Sequence, residues 1–110
     1  MSNKKEKEYE KIIAEITLKI IEVARPIRII LFGSVVRGQM GQNSDLDFLV
    51  VLNNSAHCRK TAQNIYKHLI KIGFATDLVV IHESDLLSNK DSEGTVIKTA
   101  LQEGKVLYAA

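Results

Sequence analysis

The sequence predicts an α/β (α+β) fold, a small mixed β-sheet backed by helices, and three observations predict it. Two short and almost wholly apolar runs, Ile27 to Phe32 and Leu46 to Leu52, read as buried strands. A helical stripe of roughly 16 residues separates the second run from a third strand, which suits a right-handed parallel βαβ crossover. The elements in order read α-β-turn-β-α-β-α-α-β, a succession that packs as layers of helix on sheet.

Each element has its own cause. Ile12, Ile13, Ile16, Ile20, Val23 and Ala24 fall on one face at helical spacing, predicting an amphipathic helix from about Glu8 to Ala24. Pro26 stops it and favours an extended Arg25. The strand from Ile27 ends at Gly33, and the polar stretch from Gly33 to Ser44, with Gly38 and Gly41 inside it, begins as a short helical turn. The strand from Leu46 to Leu52 is bounded by Asn53-Asn54-Ser55, with Ser55 the expected N-cap of a helix ending at Gly73. Its stripe is Cys58, Ala62, Ile65, Leu69 and Ile72. A third strand spans Thr76 to Ile81, and a short helix Ser84 to Ser88. A last helix covers Ser92 to Glu103, with Gly104 as its stop and a final strand from Lys105 to Tyr108.

Composition bounds the function. The chain has 110 residues, 45% apolar and 25% charged, with a net charge of +2, which excludes disorder and suits one domain over residues 1–110. Cys58 is the lone cysteine, so a disulfide scaffold is excluded and a reducing, cytoplasmic setting is expected. No apolar run approaches the ~18 residues of a membrane helix, and Met1 to Lys11 lacks the apolar stretch of a signal peptide. The pI near 8.7 falls below the footprint of a nucleic-acid domain, so no direct nucleic-acid binding is expected. Lys4, Lys5, Lys7 and Lys11, interleaved with Glu6, Glu8 and Glu10, read as a solvated helix end rather than a phosphate-binding arm.

The chemistry concentrates where acid interrupts apolar strands. Asp45 and Asp47 open the second strand two residues apart, and such residues point to one face. Carboxylates that close repel, and a divalent cation removes the conflict, because Mg²⁺ prefers hard oxygen ligands. Asp77 repeats the anomaly at the start of the third strand. If these strands are parallel neighbours, Asp77 stands beside Asp47, one strand spacing of ~4.8 Å away. Three carboxylates there make a site able to hold two metals about 3.5–4 Å apart, the clamp used in phosphoryl displacement. Gly33 and Ser34 end the first strand in a turn whose N–H groups can cradle an anion, and Arg37 follows one turn later.

Gly33-Ser34, ten residues, then Asp45-Leu46-Asp47 resembles the Gly-Ser-x10-Asp-x-Asp signature of the DNA polymerase β-like nucleotidyltransferases. The whole chain also resembles the minimal nucleotidyltransferases, bare catalytic domains that pair with HEPN-domain proteins in toxin–antitoxin modules. Arg37-Gly38, Ser44 and the ending Gly104-Lys105-Val106-Leu107-Tyr108 fit that family's pattern, whereas Val35-Val36 stand where many relatives carry Arg just after the Ser. The resemblance implies the polymerase β-like fold, with catalytic Asp45, Asp47 and Asp77 as metal ligands for two Mg²⁺ ions. Gly33 and Ser34 would grip the β- and γ-phosphates of a nucleoside triphosphate, ATP being expected, with Arg37 a further phosphate contact. It further implies that AMP is transferred to a hydroxyl of the HEPN partner, silencing it.

Two rivals are an antitoxin that neutralises by docking alone and a nucleotidyltransferase acting on a small molecule. A dinucleotide-binding module is excluded, since Gly33 starts no Gly-x-Gly-x-x-Gly run. His57, His68 and His82 read as surface residues rather than a zinc set, Cys58 as core, and Tyr66 and Tyr108 as packing residues rather than base-stacking ones. Leu49 and Val51 share the face of Asp47, and Val79 and Ile81 that of Asp77, so part of this face is expected to meet a partner or a second copy of the chain.

Overall fold

A computed structural model describes residues 4–37 and 45–110. The expected positions Gly38, Gly41 and Ser44 lie outside them. In chain order the elements are α1 (Lys4–Ala24), β1 (Arg28–Phe32), β2 (Leu46–Leu52), α2 (Cys58–Leu69), β3 (Thr76–His82), α3 (Glu83–Asn89), α4 (Val96–Glu103) and β4 (Lys105–Ala109). The four strands form one sheet in the order β3-β2-β1-β4. Its β2–β3 pair is parallel and its other two pairs antiparallel, so the sheet is mixed as expected.

Strand alternation divides the core into two layers. Leu46, Phe48, Val50 and Leu52 point to one side with Ile29 and Leu31, where Tyr9, Ile16 and Ile20 of α1 and Ile65 and Leu69 of α2 bury them. Leu49 and Val51 point to the other side with Ile30, covered by Leu86 of α3 and Ala100 of α4. This corrects the partner-face expectation in part: the chain's own short helices bury Leu49 and Val51 completely. Val79 and Ile81, nearer the β3 edge, remain only half-buried.

Three local expectations are corrected, each by a competing hydrogen bond. Arg25 is not extended; its φ is 46°, because its N–H closes the last turn of α1 on the Ile21 carbonyl at 3.0 Å. Ser55 does not cap α2. The Asn53 side-chain oxygen accepts from both the Ser55 N–H (3.0 Å) and its hydroxyl (2.6 Å), tying Ser55 into the preceding turn. The cap is His57, whose Nδ1 accepts the Lys60 N–H at 3.2 Å. Likewise α4 starts after Thr95 rather than Ser92, since the Thr95 hydroxyl oxygen accepts the Lys98 N–H at 3.1 Å. At the other end of the chain, α1 begins earlier than expected, with Tyr9 packed edge-on against Phe74 at 5.4 Å between ring centroids.

Three side chains with possible chemical roles are structural. The Tyr66 hydroxyl accepts the Leu78 N–H at 2.8 Å, covering a backbone donor on the edge strand β3. Tyr108 packs against the α1–α2 side of the core, and Cys58 does the same. Burial first, and Asp85 second, pushes the Cys58 thiol above its ordinary pKa, which makes it a poor nucleophile. No helix among the described residues is long and apolar enough to cross a membrane.

Candidate active site

The site grows out of sheet register. The Leu46 N–H bonds to the Ala75 carbonyl at 3.0 Å, and from there β2 and β3 run in parallel with Asp47 directly paired to Asp77. The two acids therefore start neighbouring strands side by side, as the sequence predicts. Asp47 has the alternation of Leu49 and Val51, which places it on the α3–α4 side of the sheet. It is half-buried, whereas Asp45, just before β2, and Asp77 are exposed.

The antiparallel β1–β2 pair adds the second half of the site. Phe32 pairs with Asp47, so the next residue, Gly33, arrives at the Asp47 side chain. Gly33 is buried with φ at 87°, and a methyl group on it would overlap the Asp47 Oδ2 and come within 3.1 Å of its Cγ. This position thus excludes any side chain twice, by backbone conformation and by contact with the carboxylate. Ser34 follows in the turn, which the Arg37 N–H closes on the Gly33 carbonyl at 3.2 Å. The Arg37 guanidinium donates to Glu103 Oε1 at 2.6 Å.

Electrostatics join these groups into one site. Asp47 is held above the ordinary carboxylate pKa, first by burial, then by the negative charges of Asp77 and Asp45; Arg37 acts in the opposite direction. Deprotonated Asp47 is thus penalised by the two acids beside it, a conflict that a bound cation relieves. Among the described residues no three acid, imidazole or thiol groups converge tightly enough to cage a metal unaided. The donor set nevertheless fits magnesium. Mg²⁺ is usually held by one or two carboxylates with substrate phosphates completing its octahedron, rather than by an all-protein cage.

Two participants were not read from the sequence. Phe32 is the β1 register partner of Asp47, and Glu103 is an ion partner of Arg37. The clue to Glu103 was its place at the last position of a helix, where an anion opposes the macrodipole. The imidazoles of His57, His68 and His82 stand apart from the site: His57 caps α2, His68 Nδ1 lies 2.8 Å from the Asn64 carbonyl, and His82 Nε2 lies 2.7 Å from the Ala56 carbonyl.

Comparison with known proteins identifies the family and the fold. The profile of the nucleotidyltransferase domain family matches residues 7–107. A relative from Methanocaldococcus jannaschii, named "Putative protein adenylyltransferase", is 36% identical over 81 residues, 74% of this chain and 77% of the relative. Among solved structures, a toxin–antitoxin crystallised with AMP-PNP superposes with a TM-score of 0.58 at 24% identity, over 87% of this chain and 73% of that one. A "putative nucleotidyltransferase" from Sulfolobus solfataricus superposes equally well, at a TM-score of 0.58 and 19% identity, over 90% of this chain and 78% of that one. At these identities the two likenesses establish the fold.

Proposed function

The chain belongs to the nucleotidyltransferase domain family, and from that premise we propose that it transfers AMP from ATP to a hydroxyl of a partner protein. The observation that carries the reading is the packing of Gly33 directly on the Asp47 carboxylate, with Asp77 in register beside it. A glycine turn that forbids a side chain lets phosphate approach the backbone closely, next to acids that repel one another until a cation joins them. The relative named as a protein adenylyltransferase supports a protein acceptor, and the toxin–antitoxin neighbour crystallised with AMP-PNP supports ATP and a toxin as the partner; the resemblance seen in the sequence makes that toxin a HEPN-domain protein. Residues 1–110 would act as one domain, the antitoxin half of a cytoplasmic module.

In this mechanism Gly33 and Ser34 hold the β- and γ-phosphates, with Arg37 beside them. Asp45 and Asp47 would hold two Mg²⁺ ions, with Asp77 completing the one nearer the acceptor. When bound, the ions neutralise charge on the triphosphate and on the incoming oxygen. The acceptor oxygen bonds to the α-phosphorus as the bond to the β-phosphate oxygen breaks, and pyrophosphate leaves. The acceptor proton passes to the exposed Asp77 carboxylate. Positioning and charge neutralisation supply most of the rate.

The reaction has a direct assay. Incubated with its partner, Mg²⁺ and ATP, the protein is expected to label the partner from ATP carrying its tag at the α-phosphate and not at the γ-phosphate. Replacing Asp45 and Asp47 together with Asn should abolish the labelling. Label arriving from the γ-phosphate would overturn the proposal, and neutralisation of the partner that survives the double replacement would make the protein an antitoxin acting by docking.

A further inference from the structure

The last residue of α4 carries its charge at the wrong end of a helix. Glu103 faces the negative end of the macrodipole, and no basic residue lies in the same turn to offset it. The compensating cation comes instead from Arg37, 66 residues away in the chain, whose guanidinium meets Glu103 Oε1 at 2.6 Å. The pair is solvent-accessible, at 44% and 32% side-chain exposure, so it adds little to stability, and its effect is on where the guanidinium rests.

The backbone is anchored at both ends of this contact. On the Glu103 side, the Gly104 N–H bonds to the Ala100 carbonyl at 2.8 Å. A methyl group at Gly104 would overlap the Ala100 oxygen and the Ile30 side chain and approach the Leu31 carbonyl to 3.0 Å. The end of α4 is therefore seated on β1, two residues before Gly33. On the Arg37 side, the backbone is closed onto the Gly33 carbonyl at 3.2 Å. The positive charge held between them is felt at Asp47.

Resting on the nucleotide-transfer reading, we propose that Glu103 is a positioning residue: it holds the Arg37 guanidinium at the triphosphate end of the site before nucleotide arrives. A guanidinium has five N–H donors, so a bond to a carboxylate is compatible with a simultaneous bond to phosphate. A long side chain held in place beforehand loses less freedom when it meets its ligand, and affinity rises accordingly. Glu103 touches neither phosphate nor acceptor, so its removal acts on nucleotide capture and leaves the chemical step alone.

The test compares wild type, Glu103→Gln, Arg37→Gln and the double variant, measuring AMP-PNP affinity with Mg²⁺ and the KM and kcat for ATP. Glu103→Gln is expected to weaken AMP-PNP and raise KM roughly fivefold with kcat nearly unchanged. In the Arg37→Gln background the same replacement should add nothing. Three outcomes overturn the assignment: a fall in Tm with affinity unchanged, an equal loss in the Arg37→Gln background, or tighter binding by Glu103→Gln, which would make Glu103 a competitor of phosphate. Wild type failing to take up AMP-PNP at all would instead overturn the nucleotide-transfer reading beneath it.

Discussion

Asp47→Asn is expected to lower nucleotide transfer by roughly 10³-fold or more while making the metal-free protein more resistant to heat. The loss follows from position. Asp47 lies against Gly33 and is paired with Asp77, so in the proposed reaction it would link the phosphate end of the site to the acceptor end. Asn keeps its shape and removes its charge. The gain in stability follows from the raised pKa: folding partly buries the carboxylate and sets it beside Asp77 and Asp45. The folded state therefore holds this proton to a higher pH than the unfolded chain, and stability falls as pH rises through the interval between the two values. Below the ordinary carboxylate range both states are protonated, and wild type and variant should unfold alike. At neutral pH, in EDTA, the variant should melt at a higher temperature than wild type. Melting curves across that range check the sign, and transfer assays the loss.

Gly33→Ala should fold and still fail. The φ of 87° costs an L-residue about 1–2 kcal/mol, which corresponds to a Tm lowered by about 5–15 °C. The added methyl group also overlaps the Asp47 carboxylate, which can escape only by rotating away from the turn. Displacing a reacting group by an ångström costs on the order of 10²-fold in rate. Gly73→Ala is the matched control. Gly73 has a similar φ of 69° with nothing within 4 Å, so its replacement should lower Tm comparably and leave transfer intact. If both variants were equally active, the contact between Gly33 and Asp47 would have no catalytic meaning.

Much of this site is legible in the chain because it depends on short-range periodicity. Asp45, Asp47 and Asp77 announce themselves as charges in apolar strands, and a helix between the two strands makes them parallel neighbours with their starts together. What was hidden depends on register between strands, or on distance along the chain. The Gly33–Asp47 contact needs the antiparallel pairing of Phe32 with Asp47, which no local pattern specifies. The Arg37–Glu103 pair needs α4 to return to β1, and nothing in either segment encodes it alone. The α2 cap differs from the expectation for a smaller reason: the Asn53 side chain engages the Ser55 N–H and hydroxyl, and His57 is the residue that reaches the Lys60 N–H. Leu49 and Val51 were expected to await a partner because the coverage given by α3 and α4 depends on how two short helices dock.

The most direct measurement is thermal unfolding of wild type with Mg²⁺ alone, AMP-PNP alone and both together. A ligand present at about 100 times its Kd adds about 2.7 kcal/mol, which for this chain length is a rise in Tm of roughly 10–20 °C. That rise should require both components, and Asp47→Asn should abolish it. A shift of the same size without Mg²⁺, or one undiminished in the variant, would contradict a site built on paired carboxylates sharing cations with a triphosphate.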